Sequence, residues 1–194
     1  MSTVELVNLD ILPIGDVSSN DLDVIASALR DHYRVDVSIH APYSLADLPE
    51  GTYSASRDRY NGNELAALAG ANGDGELNLV VTSADLFAAE TEHISEKTFV
   101  FGCSFLEGNG AVMSTHRLKP QGVRSLLSRG SNELVTNRLR VQAVKHVGHM
   151  IGLDGCTDAT CVLAQSTDLD ALDEREPRFC RSCSRSTTRF DVVR

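Results

Sequence analysis

Residues 145–156 read KHVGHMIGLDGC, from Lys145 to Cys156, and no other stretch of the chain says as much about its fold. On a helix, His146 and His149 stand at i and i+3, on one face and close enough to share a metal ion. Gly152 sits where a helix ending at Met150-Ile151 needs a residue that can turn the chain sharply. Isolated histidines near a helix end more often cap or pack than ligate, so the stretch by itself leaves both roles open. Upstream, Gly130-Ser131-Asn132-Glu133 opens the longest helical pattern of the chain, running to about Gly152. Leu134, Val144, Val147 and Ile151 form its expected buried face, and Gly148 and Gly152 allow close approach of a neighbour.

Downstream, Cys156 begins the array C-x4-C-x18-C-x2-C, formed by Cys156, Cys161, Cys180 and Cys183. Two thiolate pairs separated by a loop can close tetrahedrally on one zinc ion. The first spacing is at the wide edge of the usual range, while Cys180-x-x-Cys183 has the short spacing of a metal knuckle. Two disulfides are the first alternative, disfavoured in a reducing interior. A redox C-x-x-C is the second, disfavoured because no thioredoxin-like strand precedes it. Cys103, in the apolar FGCSF segment, reads as a buried small hydrophobe.

The rest of the chain alternates β and α. Val4–Ile14 reads as a strand with Leu6, Ile11 and Ile14 buried, followed by N-cap chemistry at Ser18–Asp21. Leu22, Ile25, Ala26 and Leu29 then recur at helical spacing. Val35, Val37 and Ile39 alternate with polar residues as in a half-buried strand. A second helix is expected over Asn63–Ala71, a buried strand over Leu77–Thr82, and two more strands, Thr98–Gly102 and Ala111–Thr115, around the turn Glu107-Gly108-Asn109-Gly110. One α+β domain over 1–194 is expected, with a sheet and helix core at 1–153 and a loop-rich four-cysteine lobe at 154–194.

Charge narrows the partners. The 194 residues carry 18 Lys+Arg against 27 Asp+Glu, a formal net charge of −9. Nucleic acid is therefore an unfavoured partner. The arginines at 175, 178, 181, 185 and 189 could suggest a zinc-ribbon nucleic-acid module, but no aromatic stacking platform is interleaved with them. They read as a solvated face balancing Asp168, Asp170, Asp173, Glu174 and Glu176. Only Lys97, Lys119 and Lys145 are lysines, so an acidic, lysine-poor halophilic protein is expected. No run of eighteen apolar residues offers a membrane span, and the acidic N-terminus lacks the basic region of a secretory leader. A cytoplasmic protein is the expectation.

The stretch Gly148-His149-Met150-Ile151-Gly152-Leu153, with the four cysteines behind it, resembles the active-site region of the archaemetzincins, a branch of the metzincin zinc metallopeptidases. Their motif is H-E-x-x-H-x-x-G-x-x-H-C, then x4-C-x-M and a later C-x-x-C. Arg59-Tyr60-Asn61, Leu79–Asp85, Phe99–Gly102 and Met113–Leu118 are similar to further family blocks in the same order. The resemblance implies a metzincin-like zincin domain. Its mixed, mostly parallel sheet would be backed by helices, with the 131–152 active-site helix beneath a cleft and a C-terminal four-cysteine zinc lobe.

The departures fall on the chemistry. Lys145 stands in the place of the first zinc-binding His, and an ammonium repels a cation. His146 stands in the place of the catalytic Glu, the base toward zinc-bound water. Gly155 replaces the third His, and Leu163 the Met beneath the site. Of the catalytic set only His149 remains, as a remnant of the catalytic zinc site, and one imidazole is short of the three protein ligands such zinc needs. The expected protein is a zinc-binding homologue without peptidase activity. It keeps one structural zinc, has no confident catalytic residue, and has a cleft that takes a peptide or protein segment. The alternative is an active, aminopeptidase-like enzyme with a site rearranged around His146, His149 and Asp154, with His116 a further candidate. The plainer expectation makes His146 a solvated neighbour of Lys145 and Asp154 a turn former before Gly155. Substrate and oligomeric state are not legible.

Overall fold

In the computed structural model, which describes residues 6–88, 99–119 and 131–186, the chain forms two sheets and four α-helices among those residues. The main sheet comprises β1 (Val7–Ile14), β2 (Val35–Ile39), β5 (Leu77–Thr82), β8 (Gly102–Ser104) and β9 (Gly110–Ser114), in the order β2-β1-β5-β9-β8. Every pairing is parallel except β8 with β9. A small sheet holds β3 (Tyr53–Ser54), β4 (Arg59–Asn61), β6 (Leu86–Phe87) and β7 (Phe99–Val100).

Parallel strands buried on both faces read as continuous apolar runs, and β5, LNLVVT, is buried along its whole length. Alternation along β1 divides the core. Leu9 and Ile11 face one hydrophobic cluster, with α1 (Ser19–His32) and α3 (Ser131–Met150). Leu12 and Ile14 face the other, with α2 (Gly62–Asn72). Helix α1 starts where expected, with Ser18 Oγ accepting the Asp21 N–H, and α2 starts at an Asn61 cap.

Several expectations need correction. Leu6 is exposed, because the strand begins at Val7; residues 4 and 5 lie outside the described residues. Ile39 is exposed because β2 is an edge strand. The single strand expected over Thr98–Gly102 is two: Phe99–Val100 pairs with β6, and Gly102–Ser104 crosses to β9 in the main sheet. Thr98 and Gly130 are outside the described residues. Helix α3 ends at Met150, and Leu134 is exposed because α3 becomes covered only from Arg138 onward. The region after Asp154 contains a helix that periodicity did not show, α4 (Leu169–Asp173), capped by Asp168 Oδ1 on the Ala171 N–H. No described helix is long and apolar enough to cross a membrane.

Helix α3 fastens this last region to the core. Arg138 grips Asp173 with two bonds of 2.6 Å and gives a third to the Leu118 carbonyl. Asn137 donates to the Arg175 carbonyl, and Lys145 Nζ donates to the Ala164 carbonyl at 3.1 Å. Tyr33, at the end of α1, donates its hydroxyl to the Val144 carbonyl at 2.6 Å and lies edge-on to Phe179.

Candidate functional site

Two arrangements meet at the C-terminal end of α3, a cysteine cluster and a cleft. The cluster forms because α3 stops abruptly. Gly152 takes φ +93°, while its N–H reaches the His149 carbonyl and the Leu153 N–H the Gly148 carbonyl, a Schellman closure with buried Leu153 as its apolar clasp. The Glu107 N–H, from the β8–β9 connection, also donates to the His149 carbonyl. The chain leaves at right place for Cys156 N–H to meet the Leu163 carbonyl and for Val162 N–H to meet Arg178, which brings both cysteine pairs together.

The sulfurs of Cys156, Cys161, Cys180 and Cys183 lie within 4.8 Å of one another. Four thiolates about 2.3 Å from one ion stand about 3.8 Å apart, and Cys156 Sγ lies 3.8 Å from Cys180 Sγ. Backbone N–H groups of Asp158, Cys180 and Cys183 point at Cys156, Cys161 and Cys180 sulfurs respectively, at 3.4, 3.4 and 3.5 Å. Such donors favour thiolates, and the Cys183 N–H helps to bring the Cys180 thiol down to about 7. Burial pushes the Cys161 and Cys183 thiols up, the opposing cost that a bound cation would offset. The residues fit a tetrahedral metal ion.

The cleft, about 410 Å³, lies between β8 and the α3 face carrying Lys145, His146 and His149, and Asp154, Ser166 and Thr167 also line it. His146 is 5% exposed, contrary to the expectation of a solvated residue. Its Nδ1 is 3.2 Å from Ser104 Oγ and its Nε2 is 3.2 Å from Gln142 Oε1. With the Gln142 oxygen facing it, Nε2 must carry the proton, leaving Nδ1 to accept from the hydroxyl. Gly102 makes room for the ring, since a Cβ there would strike both Nε2 and the Val112 carbonyl. Burial, then the neighbouring His149 and Lys145, holds His146 well below the usual imidazole range, so it is neutral at neutral pH.

His149 is half-buried, and its Nδ1 donates to the Leu153 carbonyl at 2.7 Å, which turns Nε2 outward as a lone-pair nitrogen. Burial also lowers this imidazole, against the opposing pull of the Leu153 bond. Lys145 is buried enough for its amine to fall to about 8, with Arg175 adding to the effect. Asp154 is exposed, and its Oδ1 accepts the Gly155 N–H at 2.6 Å, the geometry of a turn former. A Cβ at Gly155 would meet nothing within 4 Å. Leu163 is buried under α3, its Cδ2 near where a Cβ on Gly148 would lie.

Among the described residues, the four cysteines are the group of three or more His, Cys, Asp or Glu whose ligand atoms come within 4.8 Å; His146, His149 and Asp154 do not. The imidazole rings are 6.4 Å apart, centre to centre. Arg175 is not solvated, as the sequence suggested, but buried, bonded to the carbonyls of Ala159 and Gln165; Arg189 is outside the described residues. Cys103 is half-buried at the cleft wall, with burial pushing its thiol up to about 12. Ser104 and Gln142 were missed as cleft residues. Gln142, four residues before His146, carries an i, i+4 signal that could have found it; Ser104 carries none.

The family model of peptidase family M54 matches residues 54–189. An archaemetzincin from Haloquadratum walsbyi is 33% identical over 177 residues, covering 91% of this chain and 97% of its own length. One from Haloarcula marismortui is 34% identical over 180 residues, covering 93% and 99%. The crystal structure of the Methanopyrus kandleri archaemetzincin superposes with a TM-score of 0.76 at 27% identity, covering 95% of this chain and 94% of that one.

Proposed function

Because the chain belongs to peptidase family M54, we propose that it is an archaemetzincin that has kept its fold and a four-cysteine zinc while losing the catalytic zinc and, with it, peptidase activity. The observation that carries this is the state of α3 at the cleft. A Lys donates to a carbonyl where the first His ligand belongs, both nitrogens of His146 are occupied, and Gly155 offers no ligand. One remaining imidazole falls short of the three protein ligands that catalytic zinc requires. A catalytic zinc would bring the pKa of bound water down to about 7, and this chain supplies neither its ligands nor a carboxylate base in the place of His146. The four cysteines would hold one structural ion, which fixes residues 156–183 against α3 whether or not the cleft acts.

In this reading the cleft is a binding site for a peptide or protein segment, and the acidic, lysine-poor chain works in the cytoplasm of a salt-rich cell. Nucleic acid is not a partner. A second reading, an active aminopeptidase-like enzyme, is supported by His149, whose Nδ1–H···O bond presents Nε2 as a metal ligand would be presented. It needs His146 to give up its partners and Asp154 to swing from the Gly155 N–H.

Replacing the three altered positions together, Lys145→His, His146→Glu and Gly155→His, tests the proposal. Wild type is expected to show no chelator-sensitive hydrolysis of peptide substrates. The triple variant is expected to bind a second zinc, since a Cβ at Gly155 enters open space. Chelator-sensitive hydrolysis by wild type that disappears in His149→Ala would favour the second reading.

A further inference from the structure

Lys145 is the only Lys or Arg lining the cleft among the described residues, and Asp154, exposed and bonded to Gly155, is the only carboxylate there. Its ammonium has three N–H donors, of which the Ala164 carbonyl takes one. Among the described residues Nζ has no carboxylate ion-pair partner, and the charge that acts on it is that of Arg175, another cation. An ammonium so far removed from water without an anionic partner is costly to keep. Here that cost faces a cavity rather than packed side chains. The Ser166 hydroxyl stands at the same space as a further donor, with Phe99, Phe101 and Leu106 making an apolar wall.

We propose that the cleft binds a carboxylate, held by the Lys145 ammonium at the position where the first zinc ligand would otherwise stand. This rests on the reading that no catalytic zinc occupies the cleft. A carboxylate would accept the two unused N–H donors of Lys145 in charge-assisted bonds and put its negative charge beside an uncompensated positive one. The volume, about 410 Å³, is toward the small end of ligand pockets and suits a short segment rather than a folded surface. The carboxylate could be the C-terminus of a peptide, with its last side chain against Phe99 and Phe101, or a small free acid.

Calorimetric titration of the zinc-loaded protein at neutral pH and fixed salt tests this, using N-acetyl-trialanine, its C-terminal amide and acetate as probes. Wild type is expected to bind the free acid about tenfold or more tightly than the amide, the usual worth of a charged hydrogen bond. Lys145→Met, nearly the same in shape, should erase that difference while retaining zinc and native circular dichroism, and Lys145→Arg should keep part of it. Acetate competing as well as the peptide acid would assign the site to small acids; much weaker competition would assign it to peptide C-termini. Equal binding of acid and amide, no binding of either, or an undiminished difference in Lys145→Met would overturn the inference and leave the one-zinc reading intact. A second zinc lost in His149→Ala would instead overturn that reading, and this inference with it.

Discussion

His146 owes its neutrality to its surroundings: a glycine-lined strand on one side, Gln142 and Ser104 on its two nitrogens, and a cationic Lys145 next to it in sequence. Charging it would bury an ion beside the Lys145 cation and turn the Ser104 hydroxyl from donor to acceptor. Its folded-state pKa therefore lies below the value of about 6.5 that it regains on unfolding. The unfolded chain thus binds more protons below about 6.5, so the stability tied to this residue is complete above that pH and declines as pH falls. Urea titrations from about pH 7 down to about pH 5 are expected to show that decline, and His146→Gln to lessen it, leaving the share of His149, whose imidazole burial also lowers. An identical decline in the variant would assign the effect elsewhere. The sequence placed His146 and His149 on one helix but could not show which was dry. Burial of His146 depends on Gly102, forty-four positions away in sequence, meeting it across the β8 edge.

At the scale of elements, the decisive feature is how α3 ends. Gly152 at φ +93° is the residue on which the Schellman closure turns, and a side chain there would also crowd Glu107 Cγ at 3.0 Å. Gly152→Ala is expected to cost about 1–2 kcal/mol, the left-handed penalty of a residue with a Cβ. Thermal unfolding would read this as a lower Tm, and an unchanged Tm would mean that the closure contributes little. This much was legible, since a glycine directly after the last apolar pair, Met150-Ile151, signals a helix stop. Other boundaries were not. The run from Thr98 to Gly102 is uniformly strand-like, and nothing local says that Val100 belongs to one sheet and Gly102 to another; only the pairing partners decide. Likewise α4 is five residues long, too short to display a period, and announces itself only through its Asp168 cap.

For the whole molecule, the order of strands and helices and the cysteine array were readable because each rests on local pattern or fixed spacing. The partition of charge was not. Arg138 and Arg175 look like surface residues in the sequence, yet each is buried: Arg138 fastens the cysteine region to α3 through Asp173, and Arg175 ties that region together through the Ala159 and Gln165 carbonyls. A partly buried pair such as Arg138 with Asp173 is screened by salt far less than the exposed carboxylates that dominate a chain of net charge −9. Raising KCl from about 0.1 M to about 1 M, which shortens the screening length from about 10 Å to about 3 Å, is expected to raise Tm; a fall would deny the halophilic reading. The central claim, that one metal site persists and the other is gone, is tested most directly by counting zinc per chain in wild type, Cys180→Ala and His149→Ala. One zinc in wild type, lost in Cys180→Ala and kept in His149→Ala, is the predicted result. Two zincs in wild type, one of them surviving in Cys180→Ala but lost in His149→Ala, would contradict it.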